Sequence, residues 1–218
     1  MYNLPQSTIV NKVIPKKTLV SQLGANTRMK DHLTNDVVRV EWLAKLAPST
    51  INVADGKEVH EITVFLVPVK DKNCSDDFFS FVDSLMPRHT LFILRWGEMS
   101  CLHLNYKEWM GNNTKADKAF RIVQTYRSQW VKDTEISLSI EGLNMDAIYG
   151  TLVRQVAGKR IILQSENLHE DVEKSSQYEA LLKEIEILKR KENKEKQPQK
   201  KFVLHQQRIA LELSLIHI

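Results

Sequence analysis

Ile140-Glu-Gly-Leu-Asn-Met-Asp-Ala-Ile-Tyr-Gly-Thr-Leu-Val-Arg-Gln-Val-Ala-Gly158 decides the fold. Asn144 stands where an N-cap belongs, Asp146 falls in the positive first turn, Arg154 in the negative last turn, and Gly158 where the chain leaves a helix. At 100° per residue Met145, Ile148, Tyr149, Leu152 and Val156 share one stripe, with Asp146 and Arg154 pointing away. A helix of this kind closes a domain by laying one face on a flat layer. Five such side chains amount to roughly 10 kcal/mol of gross burial.

The flat layer is sought upstream. Val37 to Leu46 alternates as a first strand, and Glu61 to Val67 is apolar on both faces, as a central covered strand should be. Leu91–Trp96 and Met99–Tyr106 flank Gly97-Glu98, a two-residue loop that predicts an antiparallel hairpin with Leu102, Leu104 and Tyr106 facing one way and Cys101, His103 and Asn105 the other. Phe120–Tyr126 and Glu135–Ile140 predict two further strands. The helices expected around them are two short ones hinged at Pro15 and ending at Gly24, one over residues 26–35, and one that opens at Asp76-Asp77 and stops at Pro87. Gly111 to Lys118, rich in Asn, Lys and Asp, reads as a surface loop. The expected fold is α+β: a mainly antiparallel sheet of about five strands covered by helices, in a domain spanning 1–158.

After Gly158 the composition changes. From His169 the chain is charged and helical, with Tyr178, Leu181, Ile185 and Leu188 in an a/d rhythm too short to hold a coiled coil alone. Lys189 to Lys201 is basic and broken by Pro198, beyond which Phe202, Leu204, Ile209 and Leu211 restart an apolar seam. A charged helical hairpin over 159–212 is the economical reading, with coiled-coil homodimerisation the alternative. Leu213–Ile218 reads as a translated transposon end of the kind used in sequencing-library preparation. It is expected to replace a native C-terminus truncated near Glu212.

The net charge of +4 is evenly spread: residues 1–158 hold 19 basic and 17 acidic side chains, residues 159–218 hold 12 and 10. A dedicated nucleic-acid domain shows a stronger basic excess. Two cysteines, Cys74 and Cys101, no secretory leader and no apolar run near the roughly 20 residues that span a bilayer point to the reducing cytoplasm, with no membrane partner.

No residue pattern here assigns a catalytic, cofactor-binding or metal-ligating group, which leans the reading away from an enzyme. Phosphate-loop, dinucleotide-turn and nucleophile-elbow glycines are absent. A restriction-type nuclease needs carboxylates on adjacent strands beside a lysine. Glu192-Asn-Lys194 has an acid-x-Lys spacing but lies in the tail. Asp76-Asp77 is better explained by a helix start than as an acid pair. Cys101 and His103 share a strand face, a two-ligand fragment at most. Trp42 and Trp96 are expected in the core. Trp109 and Trp130 border loops and, with Arg127, are the candidate nucleic-acid contacts.

The chain also resembles a prokaryotic family, domain of unknown function 4391. The resemblance is carried by Leu4-Pro5-Gln-Ser-Thr8, Asn11-Lys12, Ile14-Pro15-Lys16, Leu46-Ala47-Pro48-Ser-Thr-Ile-Asn52, Glu61-Ile-Thr-Val-Phe65, Tyr106-Lys107-Glu108, Glu141-Gly-Leu-Asn-Met-Asp146, Tyr149, Val153-Arg154-Gln155-Val-Ala157 and Glu195-Lys196-Gln197. Glu141, Asn144, Asp146, Arg154 and Gln155 match its most specific segments. The resemblance implies a setting beside helicases and DNA methyltransferases in restriction-like defence clusters, with no assigned activity or catalytic residues. The leading expectation is therefore an accessory interaction protein that docks its helical tail on a helicase or methyltransferase subunit. Two alternatives stay open: an atypical metal-dependent nuclease, in which acids such as Glu61 and Asp146 converge, and a nucleic-acid-binding module.

Overall fold

The computed structural model describes residues 2–22, 26–110, 120–163, 165 and 167–216. It divides into two units, residues 1–158 and 159–218. In the first, the strands are β1 (Ile9–Ile14), β2 (Val40–Leu46), β3 (Ile62–Pro68), β4 (His89–Trp96), β5 (Met99–Trp109), β6 (Phe120–Arg127) and the short β7 (Val131–Lys132). The helices are α1 (Lys16–Gln22), α2 (Thr27–Asn35), α3 (Pro48–Ile51), α4 (Asp76–Leu85) and α5 (Met145–Ala157). The strands form one sheet in the order β1-β2-β3-β4-β5-β6, with β7 on the far side of β5's start. All described pairings are antiparallel except β3 with β4, which are parallel and joined through α4.

The sheet thus has seven strands where about five are expected. One of the additions is β1. Residues 9–14 read as helix because Ile9 and Val13 are four apart, but this β-branched run pairs with β2 instead. Asn11 takes a left-handed φ of 50° and the register slips between Ile9 and Lys12, a bulge that hides the strand's alternation. Pro15 does break the chain, but between a strand and α1 instead of between two helices. Gly24, the expected end of that helix, lies outside the described residues, as does the expected loop 111–118.

The converse error falls at 135–140. Its alternation is real, since Ile136 and Leu138 are buried, yet no strand among the described residues pairs with it. Its main-chain groups find other partners: Leu138 N–H donates to Tyr2 O (3.0 Å), Ser139 N–H donates to Gln155 Oε1 (3.1 Å), and Gln155 Nε2 donates to Ser137 O (2.6 Å). A glutamine amide stands in for a strand edge.

The remaining elements follow the sequence. β3 lies between β2 and β4 with six consecutive residues buried. The β4–β5 hairpin turns at Gly97, φ 57°, and pairs Trp96 with Met99. α5 starts at the Asn144 cap and ends at Gly158 with φ 55°, and its whole expected stripe is buried. β5 separates two layers. Its odd residues face α4: Phe79 packs on Phe92 and His103, in a core that also takes Leu19 of α1 and Leu33 of α2. Its even residues face α5: Tyr106 stacks on Tyr149. A cavity of about 320 Å³ lies among Leu19, Phe78, Val82, Phe65 and Phe92, lined mainly by apolar side chains.

In the second unit α6 (Leu168–Lys194) and α7 (Pro198–Leu215) pack as an antiparallel pair around a break at 195–197, with Pro198 in the first turn of α7. Among the described residues no helix is long and apolar enough to cross a membrane.

Candidate functional site

Two features of the first unit hold polar groups where the sequence pattern calls for apolar ones. The first is an ion pair in the α4 layer. Lys107 Nζ donates to Asp83 Oδ1 (2.7 Å), and both side chains are fully buried. Burial pushes the Asp83 carboxyl up and the Lys107 ammonium down, and each partner's charge opposes that push on the other. The remaining bonding capacity is filled: Asn105 Nδ2 donates to Asp83 Oδ2 (2.9 Å), Thr90 Oγ1 donates to Oδ1, and Lys107 Nζ also donates to Arg88 O (2.6 Å). The lysine therefore fastens the main chain between α4 and β4. Sequence alone hides this pair, although Asp83 is four residues from Phe79 on α4's apolar stripe and Lys107 shares the strand face of His103 and Asn105.

The second feature is at the start of α4. Asp76 Oδ1 lies 3.0 Å from His103 Nδ1 and 2.6 Å from the Arg127 guanidinium, an ion pair in the second case, and neither contact is aligned as a hydrogen bond. Burial raises the Asp76 carboxyl, but His103 and Arg127 outweigh it and the group ends below its ordinary range. Arg127 also donates to Cys74 O (3.0 Å). Cys74 and Cys101 are both buried, and burial pushes Cys101 up to about 12, which favours its thiol over the thiolate.

Beside the Asp83–Lys107 pair opens a polar cleft of about 360 Å³, bounded by Lys57, Glu58, His60, Arg88, Trp109 and Phe120, with His89 at its base. Its loop wall is held from α5. Asp146 accepts from Lys57 N–H (2.6 Å), Glu58 N–H (3.2 Å) and Val59 N–H (2.9 Å), so a residue read as a helix-dipole partner is also a clamp on residues 57–59. Gly56 fits under it because a Cβ there would stand 2.4 Å from Val59 O and 2.5 Å from Asp146 Oδ1.

The expected nucleic-acid contacts are spread along the sheet. Trp109 pairs with Phe120 at one end of β6 and Arg127 pairs with His103 at the other, seven residues or roughly 23 Å along a strand. Arg127 holds Asp76, and Trp130 packs on the core. Trp96, expected inside, is 40% exposed with its indole N–H donating to Lys70 O. The family-motif residues stitch the domain. Asn144 caps α5 through Ala147 N–H (2.9 Å), Gln155 holds 137–139, Glu141 O accepts from Thr151 Oγ1 (3.0 Å), and Arg154 lies in the last turn of α5. The acids named for a nuclease have separate partners, Asp146 as above and Glu61 with Lys45 (2.9 Å). The first unit also holds an acid-x-Lys triplet, Asp55-Gly56-Lys57. It lies in a loop instead of a strand, with Asp55 paired to His60 (3.0 Å).

In the second unit Glu192 closes the helical pair, 3.0 Å from His205 and 2.9 Å from Arg208, which also reaches Glu212 (2.6 Å). Leu204 and Leu211 are half-buried, whereas Phe202 is 59%, Val203 51% and Ile209 39% exposed. No described residue of α7 is fully buried. The seam expected from four residues is therefore two: an inner one at Leu204 and Leu211, and an outer one at Phe202 and Ile209, seven residues apart.

One family model matches residues 2–210, nearly the whole chain. No curated protein matches, and no solved structure matches.

Proposed function

The chain belongs to the family described as Domain of unknown function (DUF4391), and from that membership and the half-covered helical pair we propose that it is an accessory interaction subunit of a DNA-processing defence system, docking through α6 and α7 on a helicase or DNA methyltransferase. The observation that carries the docking is the outer stripe of α7. Phe202 and Ile209 lie on one side of a helix whose other side already meets α6, and exposed apolar anchors at helical spacing are what a partner helix buries. The end of α6 and the start of α7 carry Lys189, Arg190, Lys191, Lys194, Lys196, Lys200 and Lys201, interrupted by Glu192 and Glu195. The complementary occupant is an amphipathic helix with an acidic border. The class of partner comes from the setting that the family resemblance implies.

Co-purification of the tagged chain with a helicase or methyltransferase from its own gene cluster tests the reading. Phe202→Asp with Ile209→Asp should abolish it, as should deletion of residues 165–218. Retention of the partner by both variants rejects the role of the tail.

A further inference from the structure

The cleft between the 57–60 loop and the end of β5 has no part in docking through α7, yet the most constrained groups of the first unit surround it. Trp109 lines the cleft and is 48% exposed, its ring steeply inclined to that of Phe120 with centroids 5.3 Å apart. Lys57 and Arg88 are exposed on the same cleft, and among the described residues no acid is within ion-pair distance of either. Of the nearby carboxylates, Glu61 is paired with Lys45 and Asp146 with three N–H groups of the loop, whereas Glu58 lines the cleft and Asp55, 3.0 Å from His60, also feels the Arg88 charge. At the base, the His89 ring packs against Phe120 (4.9 Å) and Tyr149 (4.3 Å).

Both walls are fixed before any ligand arrives. Asp146 grips three successive N–H groups of the loop that carries Lys57, and the buried Lys107 grips the carbonyl of Arg88 itself. A buried ion pair is an expensive way to hold a connection, and pre-fixed walls reduce the ordering cost of binding. An exposed indole face takes a planar base by stacking, whatever its identity. Two cations with no carboxylate at ion-pair distance among the described residues can take a phosphate. The volume falls within the range of small-ligand sites.

We infer that this cleft binds a nucleotide, with the base on Trp109 and the phosphate between Lys57 and Arg88. The nucleotide is either free or a unit of a single strand, and the two sources share this chemistry.

Calorimetric titration of the full chain with AMP, adenosine and inorganic phosphate, and anisotropy of a labelled single-stranded oligodeoxynucleotide, test it at low salt. Trp109→Ala should weaken binding roughly tenfold, with Trp109→Phe retaining most of it. Arg88→Ala should weaken it and flatten its salt dependence, and Glu58→Gln should tighten it. AMP that binds alone and displaces the oligonucleotide upholds the site with a free nucleotide as its ligand. An oligonucleotide that binds where AMP does not upholds it with a strand. The inference is overturned if neither binds at millimolar concentration, if adenosine or phosphate alone matches AMP, or if Trp109→Ala and Arg88→Ala, with unchanged circular dichroism, bind as wild type.

Discussion

Lys107 and Asp83 are each costly without the other. Removing one partner of a buried pair leaves an uncompensated polar group, so Lys107→Met should lower stability by about 3–5 kcal/mol in urea unfolding. Adding Asp83→Asn should recover part of that loss, a coupling that a double-mutant cycle measures directly. His89 contributes to the acid response. Burial, with the Lys107 charge nearby, lowers its pKa to about 3. Between pH 6.5 and about 3 the unfolded chain binds a proton there that the folded chain does not. Stability therefore falls as the pH falls through that window, by at most about 1.4 kcal/mol per pH unit from this residue. His89→Phe should flatten the slope of unfolding free energy against pH over that range, measured against the parent. Neither residue stands out in sequence. Asp83 and Lys107 are 24 positions apart, and only the crossing of α4 over β5 brings them together, so no local spacing marks them.

At the scale of elements, legibility followed the source of each element's order. α5, β3 and the β4–β5 hairpin are specified by their own residues: a cap, an unbroken apolar run, a glycine between two strands. Residues 135–140 and β1 are specified by what they meet. The first has a strand's alternation but takes its hydrogen bonds from Gln155 and Tyr2, and the second has a helix-like spacing created by its bulge. The same holds for the cleft, where Trp109 was legible as an exposed aromatic but Lys57 and Arg88 were not, because Asp146 and Lys107 position them from other elements. Asp146→Ala should cost about 2–3 kcal/mol, since three N–H groups lose a charged acceptor. Asn144→Ala, which loses one cap, should cost about 1 kcal/mol. Thermal melts of the two variants rank them, and a reversed order would show that Asp146 acts only on the helix dipole.

At the scale of the whole molecule, the change of composition after Gly158 marks the boundary between the two units, and the charged helical pair was legible from the seam and Pro198. Its outer face was not, because Phe202, Leu204, Ile209 and Leu211 read as one stripe until α6 covers half of them. Glu192→Ala, which removes the acceptor shared by His205 and Arg208, should reduce the helical signal of the second unit and leave the near-ultraviolet spectrum of the aromatic-rich first unit intact. The sheet, finally, is open at β1, whose far side has no neighbour among the described strands. Such a margin invites strand addition by a second chain and, through it, fibrous aggregation. The left-handed kink at Asn11 breaks the regular ladder an incoming strand would need. Asn11→Val, by straightening that border, should make concentrated solutions scatter light on mild warming long before the domain itself melts.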